Sequence, residues 1–315
     1  MTIHVILLAL APVFFVIALG YMAGKLRVID NHHLNELNVL IMDFALPASL
    51  LVATSSTSRT KMLEQVPLFE ILSAVMLALY LFWYLVERKF SRSSRGEAAV
   101  VAISVAVPNY AAVGLPIVSA ILGPTETVPV AIAIAAASIV PSPLTLLLLE
   151  LSRDKNLVDS KVLYAARALQ AALIKPIVLA PLLGILLSLS ELNLHPVANA
   201  SLLLIGQAAS GGALFLTGLI LSAQPFELDW RTMGATGAAN VIRPLLAITI
   251  VKIAPVPSEV AKVAVLLAAL PSGFFGILFG VRYELDPAKA GSVVITSTVL
   301  SILTLACAIA FLYPQ

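Results

Sequence analysis

Charge is scarce in this chain. Asp, Glu, Lys and Arg make up 11% of its 315 residues, where a soluble domain carries roughly 25%. Cysteine is nearly missing too. The single Cys307 allows no internal disulfide and no cysteine metal site. The four histidines, His4, His32, His33 and His195, fall at the start of the chain and in loops, and adjacent His32 and His33 match no zinc spacing. No metal is therefore expected. The chain has no P-loop, no G-x-S-x-G, no G-x-G-x-x-G and no H-E-x-x-H. With no acid–base or nucleophile constellation either, neither an enzyme nor an ATP-driven pump is expected, and no cofactor. Basic clusters interleaved with aromatics are also missing and the net charge is only +2, so nucleic acid is not an expected partner.

Apolar residues fill the space left by these absences. They reach 60%, and the mean hydropathy is +1.02. This much apolar surface has no use in water, and each membrane span needs about 20 such residues. Ten apolar segments are read, at 4–24, 36–56, 67–86, 98–122, 127–150, 170–189, 199–222, 233–254, 259–281 and 290–313. The first carries no basic n-region and no cleavage site, so it reads as a retained span. The connections are short and polar. The longest, 153–169, reads as a cytoplasmic amphipathic connector between the halves 1–152 and 170–315. The odd-numbered loops hold thirteen of the nineteen Lys and Arg residues, and the even-numbered ones hold Arg59, Lys61, Lys252 and Lys262. By the positive-inside rule both termini are expected on the periplasmic side.

The fourth and ninth segments resemble each other. One reads 97-EAAVVAISVAVPNYAAVGLP-116, the other 259-EVAKVAVLLAALPSGFFGILFG-280. Each opens with Glu and reaches Pro after 11 or 12 positions. A small polar residue follows, Asn109 or Ser272, and then glycine. Five spans separate the two, and five is odd, so the halves would be inserted upside-down relative to each other. Such inverted repeats are typical of secondary transporters. A proline within a helix removes a backbone bond, and freed polar groups survive in lipid only where protein or water satisfies them. If both helices break at mid-membrane and cross there, their half-helix N-termini suit a carboxylate. Asn109, Ser272 and the backbone near Pro108 and Pro271 are the candidate donors. Gly273 allows close approach, and Tyr110 flanks the break.

Other polar residues lie within the apolar runs. Asp43 is a coupling candidate for a proton or sodium ion, or a structural partner of Lys175 or Arg243. Arg243 is a candidate for a second substrate charge, and Lys175 either joins it or snorkels to the interface. Gln207 takes the place in the seventh segment that Asp43 takes in the second, and a hydrogen bond to unwound backbone is expected of it.

These motifs resemble the auxin efflux carrier family, which includes plant carriers and many bacterial carboxylate permeases. The resemblance rests on "FALPASLL" (44–51), "PNYAAVGLPI", "KPIVLAPLLGILL" and "ALPSG", in that order along nearly the whole chain. "GFFGILFGVRYELDP" looks most like the bacterial malonate transporters. In the sixth span Lys175 stands where the family commonly has Asn. The resemblance implies an all-α integral membrane fold of ten transmembrane helices in two inverted five-helix repeats, with broken helices 4 and 9 crossing, as in bile-acid symporters and sodium–proton antiporters. It further implies a scaffold from helices 1, 2, 6 and 7, a transport domain from 3–5 and 8–10, elevator-type movement and a homodimer. The expected protein is a bacterial inner-membrane carrier of a small carboxylate such as malonate. The alternatives are a proton- or sodium-coupled symporter of another organic anion and an auxin-like monocarboxylate exporter.

Overall fold

A computed structural model describes residues 2–123, 126–153, 166–167, 170 and 173–314. The expected connector at 153–169 lies almost wholly outside the described residues. Among the described residues every regular element is helical, and no β-strand occurs. α1 (Thr2–Lys25) and α2 (Asn35–Ser55) come first. A single turn, Arg59–Leu63, leads into α3 (Val66–Lys89). α4 (Arg95–Ala106) and α5 (Tyr110–Leu122) are separated by an extended break. α6 (Val128–Ile139) runs directly into α7 (Pro141–Arg153). The second half holds α8 (Pro176–Leu189), then α9 (Pro196–Gly206) continuing into α10 (Ala209–Ala223), and α11 (Trp230–Ile253). The interrupted pair α12 (Ser258–Ala268) and α13 (Phe275–Arg282) precedes α14 (Ala288–Leu312).

Among the described residues, with α6–α7 and α9–α10 each taken as one, seven helices are long and apolar enough to span a bilayer. The chain is thus an all-helical, multi-pass membrane protein. The other three expected segments, 98–122, 170–189 and 259–281, appear as shorter pieces. Two of them are cut by proline.

Local chemistry sets the helix ends. α4 starts in a capping box: the Glu97 N–H donates to Ser94 Oγ, and the Ser94 N–H donates to Glu97 Oε2 (3.2 and 2.8 Å). Proline opens α3, α6, α8 and α9 within their first two positions, where its missing N–H costs nothing. α4 ends at Val107, which is extended (φ −102°, ψ 115°) because Pro108 excludes helical backbone before it.

Among the described residues three turns widen to π geometry: Leu40–Ala45 in α2, Tyr110–Gly114 in α5 and Ala238–Ile242 in α11. Each lies one turn before a proline, respectively Pro47, Pro116 and Pro244. The ring presses on the carbonyl four residues back, and the widened turn relieves that clash.

Outer helices pair through glycine. α1 lies on α10, where a Cβ on Gly20 or Gly218 would run into the other helix's backbone at Phe215 or Ile17. α8 packs on the second half of α2. The broken helices are central: residues Ala98–Ala106 of α4 and Val263–Ala268 of α12 are buried throughout. Large apolar side chains such as Leu8, Phe15, Phe82, Leu85 and Leu204 remain exposed, as a lipid-facing surface allows.

Candidate functional site at the crossing of two broken helices

The two breaks meet, although about 160 residues separate them in the chain. Pro108 and Ser272 form an isolated antiparallel bridge. The Asn109 N–H donates to the Pro271 carbonyl (2.8 Å), and the Gly273 N–H donates to the Val107 carbonyl (2.9 Å). Each break therefore satisfies the backbone that the other frees. This differs from the expectation that backbone at Pro108 and Pro271 would be open to a ligand.

A second layer of bonds fixes the crossing from behind. The Ser272 N–H donates to Ser297 Oγ on α14 (2.9 Å), which in turn donates to Asn240 Oδ1 on α11 (2.5 Å). Asn240 Nδ2 donates to the Ser297 carbonyl (2.9 Å). The widened turn before Pro244 carries Asn240. α13 approaches α4 so closely that a Cβ on Gly276 would collide with Ser104 and the Val100 carbonyl.

A cavity of about 210 Å³ opens beside the crossing. This is below the roughly 300–1,000 Å³ of pockets that take drug-sized ligands. Its walls come from Asn38, Met42 and Asp43 of α2, from Pro108–Ala111, from Ile134 and Ala137 of α6, from Lys175 and Ile177, and from Gly273, Phe274, Phe275 and Leu278. Asn109 is buried at 5% exposure. Its Oδ1 accepts the Ala112 N–H (3.2 Å) and so caps α5. Its Nδ2 makes no hydrogen bond among the described residues. Phe274 supplies no side-chain cap to α13, and Phe274 and Phe275 at its start line the wall; the first N–H groups of a helix have no intrahelical partner. Both half-helices present their positive ends here.

Six of the expected residues share this cavity: Pro108, Asn109, Tyr110, Gly273, Asp43 and Lys175. Asp43 sits in the first widened turn, and Lys175 lies before α8 with its ammonium 5.7 Å from the Phe279 ring centre. The Tyr110 hydroxyl donates to Met76 Sδ (3.5 Å). The other expected residues do not line it. Pro271 and Ser272 are buried behind the wall, and among the described residues the Ser272 hydroxyl has no partner. Gln207 is exposed in the turn between α9 and α10. Arg243 is fully buried, and its donors go to carbonyls: Nε to Ala268 (2.8 Å), Nη1 to Val105 (2.8 Å) and Nη2 to Leu270. Sequence reading missed Asn38, Ile134 and Ala137. The prolines at i+4 were the available signal for the widened turns that carry Asp43 and Asn240.

A second cavity, of about 900 Å³, lies at the other end of α2. Its walls include Ser49, Val52, Ser56, Lys61, Glu64, Glu126 and Glu259. Among the described residues no group of His, Cys, Asp and Glu is arranged to hold a metal ion.

An all-helical multi-pass protein with a small cavity at a crossing of interrupted helices defines a membrane transporter class. Residues 5–309 match the family model described as "Membrane transport protein". The chain belongs to this family, the auxin efflux carrier family that its motifs resemble. It is 27% identical over 276 residues to "Uncharacterized transporter YfdV" of Escherichia coli strain K12, covering 87% of each chain. The protein of that name in Shigella flexneri matches to the same extent. A "Putative malonate transporter" of Rhizobium meliloti is 26% identical over 306 residues, covering 93% of this chain and 91% of that one.

Proposed function

We propose that the chain is a secondary carrier for a small carboxylate, malonate or a related dicarboxylate, with its site in the 210 Å³ cavity. One observation carries the reading: Asn109, whose Nδ2 has no hydrogen-bond partner among the described residues, lines the cavity beside the uncapped start of α13. A carboxylate needs donors and positive potential, and this wall supplies both. Lys175, across the same cavity, meets the second carboxylate of a dicarboxylate. Asp43, on the same wall, is the coupling residue for a proton or a sodium ion. The name of the Rhizobium relative agrees with this substrate class.

The architecture we assign is ten crossings in two inverted five-helix repeats. The packing supports it. α1 lies on α10 and α8 lies on α2, and exchanging the halves converts one pair into the other. The pairs α3–α4 and α3–α6 correspond in the same way to α11–α12 and α11–α14. α1, α2, α8 and α9–α10 are then the scaffold and the rest the moving domain. Two cavities at opposite ends of α2 suit alternating access by an elevator movement. A homodimer in a bacterial inner membrane with periplasmic termini completes the assignment.

Labelled malonate uptake into proteoliposomes tests the reading. Wild type takes up malonate saturably, and Asn109→Ala lowers uptake efficiency by about tenfold to hundredfold, the worth of one hydrogen bond to a charged group. Equal uptake by both sinks the site, and no carboxylate transport at all sinks the function.

A further inference from the structure

Among the described residues Arg243 is the largest fully buried side chain, and no carboxylate pairs with it. An isolated buried cation is costly, so something must compensate it. Its acceptors are carbonyls at the C-terminal ends of both interrupted helices: Val105 in the last turn of α4, Ala268 at the end of α12 and Leu270 just beyond. Those ends are where proline leaves carbonyls without donors, and each helix end carries roughly half a negative charge. Two such ends together match one guanidinium. The planar fork of arginine reaches three carbonyls on two helices at once, which an ammonium would not.

We propose that Arg243 is the fixed counter-charge of the crossing, a positioning residue that fastens both half-helix ends and thereby aims Asn109 and the start of α13 without touching the cargo. Its position makes the crossing self-sufficient, with no cation required to assemble it. Tyr110, on the cavity wall, is the titratable group in electrostatic contact with Arg243. The carboxylates on the helices packed around it face elsewhere. Glu70 is exposed, Glu87 accepts from Ser93, Glu97 belongs to the α4 cap and Glu259 pairs with Lys262.

Amide hydrogen exchange tests this without requiring transport. The reporters are the Asn109 and Gly273 N–H groups, which bond across the crossing. In Arg243→Met, protection factors at both breaks fall together, by about tenfold to hundredfold. In Arg243→Lys, protection lies between wild type and the Met variant at about pH 5, because an ammonium supplies the charge but not all three contacts, and falls to the Met value by about pH 9, because a buried lysine sheds its proton where a guanidinium does not. Wild type is flat over that range. A role in packing alone would leave Arg243→Lys without this titration. Malonate KM follows the same titration, and this arm alone rests on the proposed transport. If malonate is not carried, the exchange result still decides. The assignment is overturned if only one break loosens, if Arg243→Met stays protected, or if Arg243→Lys is flat with pH. Should Arg243→Met not fold, the lysine titration decides by itself.

Discussion

The two breaks share a plan but are finished differently. The first ends in Asn109, whose side chain caps α5 through Oδ1 and leaves Nδ2 at the cavity. The second carries Ser272 in the matching position, with its hydroxyl buried and unpaired and its N–H held by Ser297. Gly273 and the uncapped start of α13 reach the cavity in its place. One half thus contributes a side-chain donor and the other contributes backbone. A repeated sequence pattern does not imply repeated chemistry, because the neighbours of the two breaks differ. Asn240 and Ser297 stand behind the second break, while the cavity stands in front of the first.

Four substitutions break or sharpen this contrast. Asn109→Ala has the largest effect, the loss in uptake efficiency stated above, while Ser272→Ala changes uptake less than about twofold. Equal losses at both positions would mean that the breaks are equivalent. Lys175→Met raises KM for malonate by about tenfold and leaves a monocarboxylate such as propionate unchanged, the cost of one partly solvated charge contact. A parallel loss for both anions would remove Lys175 from recognition of the second carboxylate. Asn240→Ala removes the acceptor of Ser297 and loosens the second break from behind, lowering stability by about 1–3 kcal/mol in thermal unfolding. An unchanged melting temperature would contradict the layered arrangement. The smallest effect belongs to Ser272→Ala. Removing a buried hydroxyl that has no partner among the described residues stabilises the protein by up to about 1 kcal/mol, and a lower melting temperature would reveal a bond made by that hydroxyl.

Much of the helix pattern was legible. The segment read as 36–56 is the helix Asn35–Ser55, and that read as 290–313 is Ala288–Leu312. Both breaks fall at the prolines picked out for them. The widened turns were not read, although Pro47, Pro116 and Pro244 each mark one, because the pattern of apolar residues is the same in a normal and a widened turn. The depth of Arg243 in an apolar run marks it as a candidate either for a second substrate charge or for a structural pair with Asp43. Depth says that a charge must be compensated but not by what, and two sets of carbonyls compensate it here. Asp43, Lys175 and Asn109 were picked separately, and nothing in their spacing indicates one shared cavity.

Composition and local backbone chemistry therefore determined that the chain is helical, lives in lipid and breaks where proline denies a helix its N–H and its space. These effects act within a few residues, so the sequence carries them directly. Tertiary structure alone decided what satisfies the freed groups. The pairing of Asn109 with Pro271 and of Gly273 with Val107, and the reach of Arg243 to both helix ends, depend on how distant helices pack. The same packing decided that one break faces the cavity with a side chain and the other with its backbone.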